Sequence, residues 1–255
     1  MSQHDFDLTG KIALINGASR GIGEAIAVRL GAAGAHVICT SRKLEGCQAV
    51  AKKITSAGGS AESFVCHAGE LASINEAIAT ITAKHKKLHI LVNNGATNPY
   101  YGPVADTPEW AFDKTIDVNL KGPFYLAAGV VPLMRAAGSG SIINIASVNA
   151  IVPGQHQGVY SITKAALISM TKSFAKEYAH ENIRSNAILP GFTDTKMTAV
   201  FKQDKAALDG LLREHVPMNR MAHPDEMAGA VLYLASDSAS YTTGAEIVID
   251  GGHLL

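Results

Sequence analysis

The sequence predicts an α/β protein built on one doubly wound parallel sheet of seven strands, with helices on both faces. Three observations predict it. Short apolar runs recur along the chain and alternate with segments of helical periodicity. The first run leads directly into a glycine-rich turn and a helix, the opening of a βαβ unit. No linker, repeat or compositional break divides the 255 residues, so 1–255 read as a single domain.

The elements follow in order. Residues 11–16 (KIALIN) form a buried strand, and 17–23 (GASRGIG) form the turn. Ile22, Ile26, Ala27 and Leu30 then recur at helical spacing up to a glycine pair, Gly31 and Gly34. Strands are predicted at 35–40, 61–66, 88–93, 141–146, 183–189 and 246–249. Helices are predicted at 43–57, 71–85, 108–137, 159–178, 204–215 and 224–234. Strands that alternate with helices in this way pair in parallel through right-handed crossovers.

The turn has the spacing Gly17-x-x-x-Gly21-x-Gly23. Glycines there permit positive φ and close backbone approach, and free amides at the helix start can hold a pyrophosphate. Gly17, Ser19, Arg20, Ile22 and Gly23 are therefore candidate contacts to a dinucleotide, on a Rossmann-type fold. The end of the second strand selects which dinucleotide. An acid there would bind a ribose 2′-hydroxyl, but the chain reads Thr40-Ser41-Arg42-Lys43. Arg42 and Ser41, with Arg20 from the turn, suit a 2′-phosphate instead, which favours NADP over NAD.

Composition narrows the function. Net charge is zero and the pI about 7.2, so no basic footprint for nucleic acid is present. Charged residues make up 17%, below the usual ~25%, which fits a surface partly buried in a homo-oligomer. Three cysteines, Cys39, Cys47 and Cys66, show neither disulfide nor zinc spacing, and no metal site is expected. The start MSQHDFDLTGK lacks an apolar leader segment, and no run approaches the ~18 residues of a membrane helix. A reduced, cytoplasmic setting is expected.

The chemistry centres on Tyr160-Ser-Ile-Thr-Lys164. Tyr and Lys four apart share one face of a helix. Of seven tyrosines only Tyr160 has a lysine at the fourth position. An ammonium beside a phenol is expected to lower its pKa from about 10, giving an acid/base that works near neutrality.

Taken together the chain resembles the short-chain dehydrogenase/reductase family, in its single-domain form. The resemblance rests on the glycine turn, Asn93-Asn94-Gly95-Ala96, Asn119, Ser147 with Tyr160-x-x-x-Lys164, and Pro190-Gly191 with Thr193, in that order. It implies that Tyr160 is the proton donor to a carbonyl oxygen, with Lys164 tuning it and binding the nicotinamide ribose. Ser147 would hold the substrate oxygen, and Asn119 would anchor a proton-relay water. Asn94, Ala96 and His67 would flank the adenosine, and Pro190, Gly191 and Thr193 the nicotinamide. It also implies that the helices at 108–137 and 160–178 form a subunit interface, commonly in a tetramer.

Three departures from the family pattern stand out. Asn16 replaces the usual Thr before the turn; Gly95-Ala96 exchanges the usual Ala-Gly; His67 stands where an Asp often meets the adenine amino group. The loops at 97–101 and 149–159 and the insertion at about 192–218 would line the substrate pocket. The insertion carries Met197, Val200, Phe201, Leu208, Leu211, Leu212 and Met218, as a lid with an apolar inner face would. Gln155, His156 and Gln157 could hydrogen-bond a polyol, and no cationic cluster marks an anionic substrate. The expected activity is NADP-dependent hydride transfer between a carbonyl and an alcohol. The alternatives are a 3-oxoacyl-thioester reductase and a non-catalytic NADP-binding regulator.

Overall fold

The computed structural model describes residues 6–255; nothing is described of residues 1–5, nor of the side chains of Val200 and Phe201. Seven parallel strands form the sheet: β1 (Ile12–Asn16), β2 (His36–Ser41), β3 (Ser60–Val65), β4 (Ile90–Asn93), β5 (Gly140–Ile145), β6 (Ile183–Pro190) and β7 (Glu246–Ile249). Their order is β3-β2-β1-β4-β5-β6-β7. The order reverses between β1 and β4, which places a ligand crevice at the carboxyl ends of these two strands.

The helices are α1 (Gly21–Ala32), α2 (Leu44–Ser56), α3 (Leu71–His85), α4 (Glu109–Ile116), α5 (Gly122–Ala137), α6 (Gly158–Tyr178), α7 (Lys205–His215) and α8 (Asp225–Ala235). Alternation along the strands sends side chains to two cores. Ala13, Ile15, Val37, Cys39, Ile90 and Val92 pack against α1, α2 and α8. Leu14, Ile38, Leu91, Ile142 and Leu189 pack against α3, α5 and α6. Continuous apolar strands are what a sheet covered on both faces requires. Cys39, Cys47 and Cys66 are all buried and free.

The mostly helical segment expected at 108–137 consists of α4, a π-helical stretch Asp117–Lys121, and α5. Hydrophobic periodicity does not distinguish an i→i+5 turn from its α-helical neighbours, and such turns often mark functional positions. Asn119 sits within it.

Helix α6 is anchored through polar as well as apolar contacts. Leu167, Ile168, Met170 and Phe174 are buried in the second core, each contributing about 1.5–3 kcal/mol. Asn93 Nδ2 donates to Asn144 Oδ1 at 2.9 Å, and Asn144 Nδ2 donates to Thr171 Oγ1 at 2.8 Å. This buried chain fixes β4, β5 and α6 against one another. Among the described residues no helix is long and apolar enough to cross a membrane.

Candidate active site and dinucleotide cleft

The carboxyl ends of the strands open into a cleft of about 710 Å³. At its floor the chain leaves β1 through Gly17, at φ +83°, a left-handed conformation suited to glycine. A Cβ on Gly17 would stand 2.6 Å from the Gly95 nitrogen, so two backbones meet here without side chains between them. The amides of Gly17 and Ala18 both donate to the Thr40 carbonyl, and Asn94 Nδ2 donates to the Gly17 carbonyl at 2.9 Å. The turn is thereby tied to β2 and β4 before any ligand arrives.

Two departures noted in the sequence prove to be one. Asn16 is buried, and its Nδ2 donates to Thr40 Oγ1 and the Cys66 carbonyl, both at 3.4 Å. A Cβ on residue 95 would lie 2.6 Å from Asn16 Oδ1. The larger Asn at position 16 therefore requires glycine at 95, and the methyl moves to Ala96.

Most of the predicted cofactor residues line the cleft: Gly17, Ser19, Arg20, Ile22, Ser41, Arg42, His67, Asn94, Ala96, Pro190, Gly191 and Thr193. Gly23 does not; it lies behind the turn, where a Cβ would meet the Gly17 carbonyl oxygen at 2.1 Å. Arg20 and Arg42 are exposed, and among the described residues neither is in an ion pair. Ser41 is buried, with its hydroxyl donating to the Lys43 carbonyl at 2.9 Å. His67 Nδ1 accepts from the Gly69 amide at 3.1 Å, so a neutral ring carries its proton on Nε2. That nitrogen donates, and an adenine amino group would find no acceptor there.

The predicted catalytic residues converge at the other end of the cleft. Ser147, Tyr160 and Lys164 all line it, with the Ser147 hydroxyl beside the Tyr160 phenol. Ser147 Oγ also accepts from the Asn149 amide at 3.1 Å, which fixes its rotamer. Lys164 is 2% exposed; its Nζ donates to the Ile145 carbonyl at 2.7 Å and stands 5.5 Å from the Tyr160 ring centre.

The expected lowering of the Tyr160 pKa is corrected by this arrangement. Burial pushes the phenol up to about 12, partly opposed by the Ser147 hydrogen bond. Burial likewise brings the Lys164 ammonium down to about 7. The lysine thus gives up its proton before the phenol does, and desolvation outweighs any pull of its charge on the phenol. Spacing on a helix established the neighbour; it carried no information on desolvation.

Asn119 is not in the cleft wall. Its Oδ1 accepts from the Thr97 amide at 2.8 Å, and its Nδ2 donates to the Thr97 carbonyl and to Thr163 Oγ1. It clamps the loop after β4 to α6.

The pocket loops differ from expectation in three respects. Gln155, His156 and Gln157 do not line the cleft; Gln157 Oε1 accepts from Asn98 and Asn149. Of the insertion, Thr193, Thr195, Lys196, Met197 and Thr198 reach the cleft, whereas α7 does not. Leu208 and Leu211 are half-buried, Leu212 is buried, Met218 is exposed, and Val200 and Phe201 lie outside the described side chains. Within α7 only Leu212 is buried, and α7 stays out of the cleft wall, so only the start of the insertion fits a cover. Lys114 and Lys196, both in the wall, went unnoticed in the sequence because no motif marks them.

The comparisons agree with this geometry. The family model described as enoyl-(acyl carrier protein) reductase matches residues 17–253. Human dehydrogenase/reductase SDR family member 4 is 36% identical over 245 residues, covering 96% of this chain and 88% of that protein. The chain belongs to the short-chain dehydrogenase/reductase family. A 3-oxoacyl-[acyl-carrier-protein] reductase of Thermotoga maritima is 38% identical over 246 residues, 96% of this chain and 98% of that one. Among solved structures, a gluconate 5-dehydrogenase from Burkholderia cenocepacia in complex with NADP and tartrate superposes with a TM-score of 0.93. It is 31% identical, with 98% of each chain covered.

The dependence of Gly95 on Asn16 is testable. Gly95→Ala should lower unfolding free energy by about 1–3 kcal/mol through overpacking. In an Asn16→Thr background the same change should cost much less, a coupling of about 0.5–3 kcal/mol in a double-mutant cycle read by denaturant melts. Additive losses would mean that the two positions do not share the space.

Proposed function

We propose that the protein is an NADP-dependent oxidoreductase that interconverts a carbonyl compound and an alcohol, on a single dinucleotide-binding catalytic domain. The observation that carries this is one cleft lined by Ser147, Tyr160 and a buried Lys164 one helical turn from Tyr160, together with a glycine turn.

The residues present fit NADP. Ser19 to Ile22 at the start of α1 line the cleft, where free helix-start amides would hold a pyrophosphate, and Arg20, Ser41, Arg42 and Lys43 line it too, as a 2′-phosphate would need. His67 Nε2–H suits a ring nitrogen of adenine. Pro190, Gly191 and Thr193 flank the nicotinamide end, and several relatives were solved with NADP bound. When bound, the cofactor supplies hydride exchange at its nicotinamide carbon.

The chain's own groups handle the oxygen and its proton. Ser147 Oγ, held by the Asn149 amide, donates to the substrate oxygen and orients it. Tyr160 stays protonated through neutral pH because it is buried, and so is a ready donor in the reducing direction. Lys164, brought down to about 7 by burial and set beside the Tyr160 ring, can hold or release a proton near neutral pH. Asn119 keeps the π-helical stretch closed on Thr97 and Thr163, where a relay water would enter.

Lys114 and Lys196 in the cleft wall suit a substrate with an anionic group, against the expectation of an uncharged one. The similarity to the Thermotoga reductase makes a 3-oxoacyl thioester the second reading. Exposed Trp110, Phe112, Phe124 and Tyr125 on α4 and α5 fit a homotetramer interface; a monomer mass by light scattering would reject it. A cytoplasmic location fits the three free cysteines.

The test is one assay panel. Ketones, aldehydes, sugar acids and a 3-oxoacyl thioester are each offered with NADPH and NADH. One class should turn over with NADPH, and Tyr160→Phe should cut kcat by about 10²–10⁴-fold while NADPH still binds. Arg42→Ala should raise KM for NADPH and leave NADH unchanged. NADPH binding without turnover of any class would favour a regulator instead.

A further inference from the structure

At the opposite edge of the sheet from the cleft, three residues far apart in sequence come together. His36 opens β2, Glu62 lies on β3, and His85 ends α3. One ligand atom from each lies within 4.8 Å of the others. His36 Nε2 stands 3.6 Å and His85 Nε2 2.5 Å from the same Glu62 oxygen, Oε1. The second oxygen, Oε2, is held by the Lys84 ammonium.

One atom of this group is unaccounted for. His36 Nε2 is shut off from solvent and has no hydrogen-bond partner among the described residues. Its other nitrogen, Nδ1, is 2.7 Å from Ser60 Oγ, the residue opposite it in the β2–β3 register. Ser60 therefore fixes the ring with Nε2 aimed at Glu62. A buried ring nitrogen without a partner is costly and calls for a specific explanation.

We propose that His36, Glu62 and His85 bind a transition-metal dication of the zinc type. Two imidazoles and a carboxylate are a donor set suited to such ions, with water at the fourth position. Ligands about 2.0–2.2 Å from a tetrahedral centre stand roughly 3.3 Å apart. The His36–Glu62 distance is already close to that. The shorter His85–Glu62 contact lengthens as the metal replaces the proton shared there, which is released to solvent. Ser60 plays the outer part, orienting a ligating imidazole through its second nitrogen. The three side chains are 14–28% exposed, so the cluster lies near the surface, and a small turn of the side chains over His36 Nε2 admits an ion and its water. Lys84 is the opposing group: its charge repels a dication and competes for the same carboxylate. Occupancy would tie the edge strand β3 to β2 and α3, remote from the reacting groups.

The experiment uses tag-free, full-length protein treated with chelator and then titrated with Co²⁺, followed by visible absorption, with Zn²⁺ as competitor. One Co²⁺ per chain is expected, without a thiolate band, since the three cysteines lie elsewhere, and Zn²⁺ should displace it. Affinity should fall more than about tenfold in both His36→Gln and His85→Gln. It should rise in Lys84→Met, a result that a purely structural ion-pair cluster does not produce. Carbonyl reduction should be unchanged in all three variants. Absence of stoichiometric binding, unaltered binding in the histidine variants, or weaker binding in Lys84→Met would each overturn the proposal.

Discussion

The site depends on one buried contact, the Lys164 ammonium on the Ile145 carbonyl. A lysine is among the least often fully buried residues, because its charge is heavily desolvated without a matching partner. Among the described residues it has one carbonyl acceptor and a neighbouring aromatic ring. That contact requires α6 to lie against the end of β5, and the Asn93–Asn144–Thr171 chain together with the apolar face of α6 holds it there. The consequence is electrostatic. A lysine brought near neutrality can lose and regain a proton under working conditions, and a phenol above it keeps its own.

The other end of the cleft is built from backbone. Gly17 and Gly95 meet without side chains, and Asn16 fills the space between the ends of β1, β2 and β3 with hydrogen bonds. Close packing makes these choices interdependent. The Asn for Thr at 16 and the glycine at 95 are two halves of one steric solution. Arg20 and Arg42 stand at the rim in exposed positions, where the proposed binding of a 2′-phosphate needs them.

The sequence revealed what periodicity and ordered motifs encode. Apolar runs located the central strands, since a sheet covered on both faces leaves little room for polar residues in them, whereas the edge strand β3 carries Glu62 and Ser63 and is only partly buried. The motif order placed Ser147, Tyr160 and Lys164 at one site. What escaped was set by burial and by contacts between distant residues. Four-residue spacing put Lys164 beside Tyr160 and suggested a lowered phenol pKa, but desolvation acts on both groups and reverses the outcome. Gln155 to Gln157 looked like a substrate wall because they precede Tyr160, yet Gln157 turns to Asn98 and Asn149. Lys114 and Lys196 enter the cleft from a helix and an insertion with no recognisable pattern. The π turn around Asn119 and the His36–Glu62–His85 cluster left no sequence signal either, the latter because its members are joined only by strand register and a helix end.

The central claim is that the fold holds Lys164 in a state where its proton is nearly free. The measurement that tests it most directly is unfolding free energy against pH for the parent beside Lys164→Met. The unfolded chain keeps the lysine proton up to about pH 10.4, whereas the folded chain releases it near 7. Between those values the unfolded state binds more protons, so stability rises with pH. The parent should gain on the variant by a few kcal/mol from about pH 7 to about pH 10, and the two curves should run parallel below that window. Parallel curves throughout would contradict the claim, because they would mean that Lys164 titrates in the folded protein as it does in water.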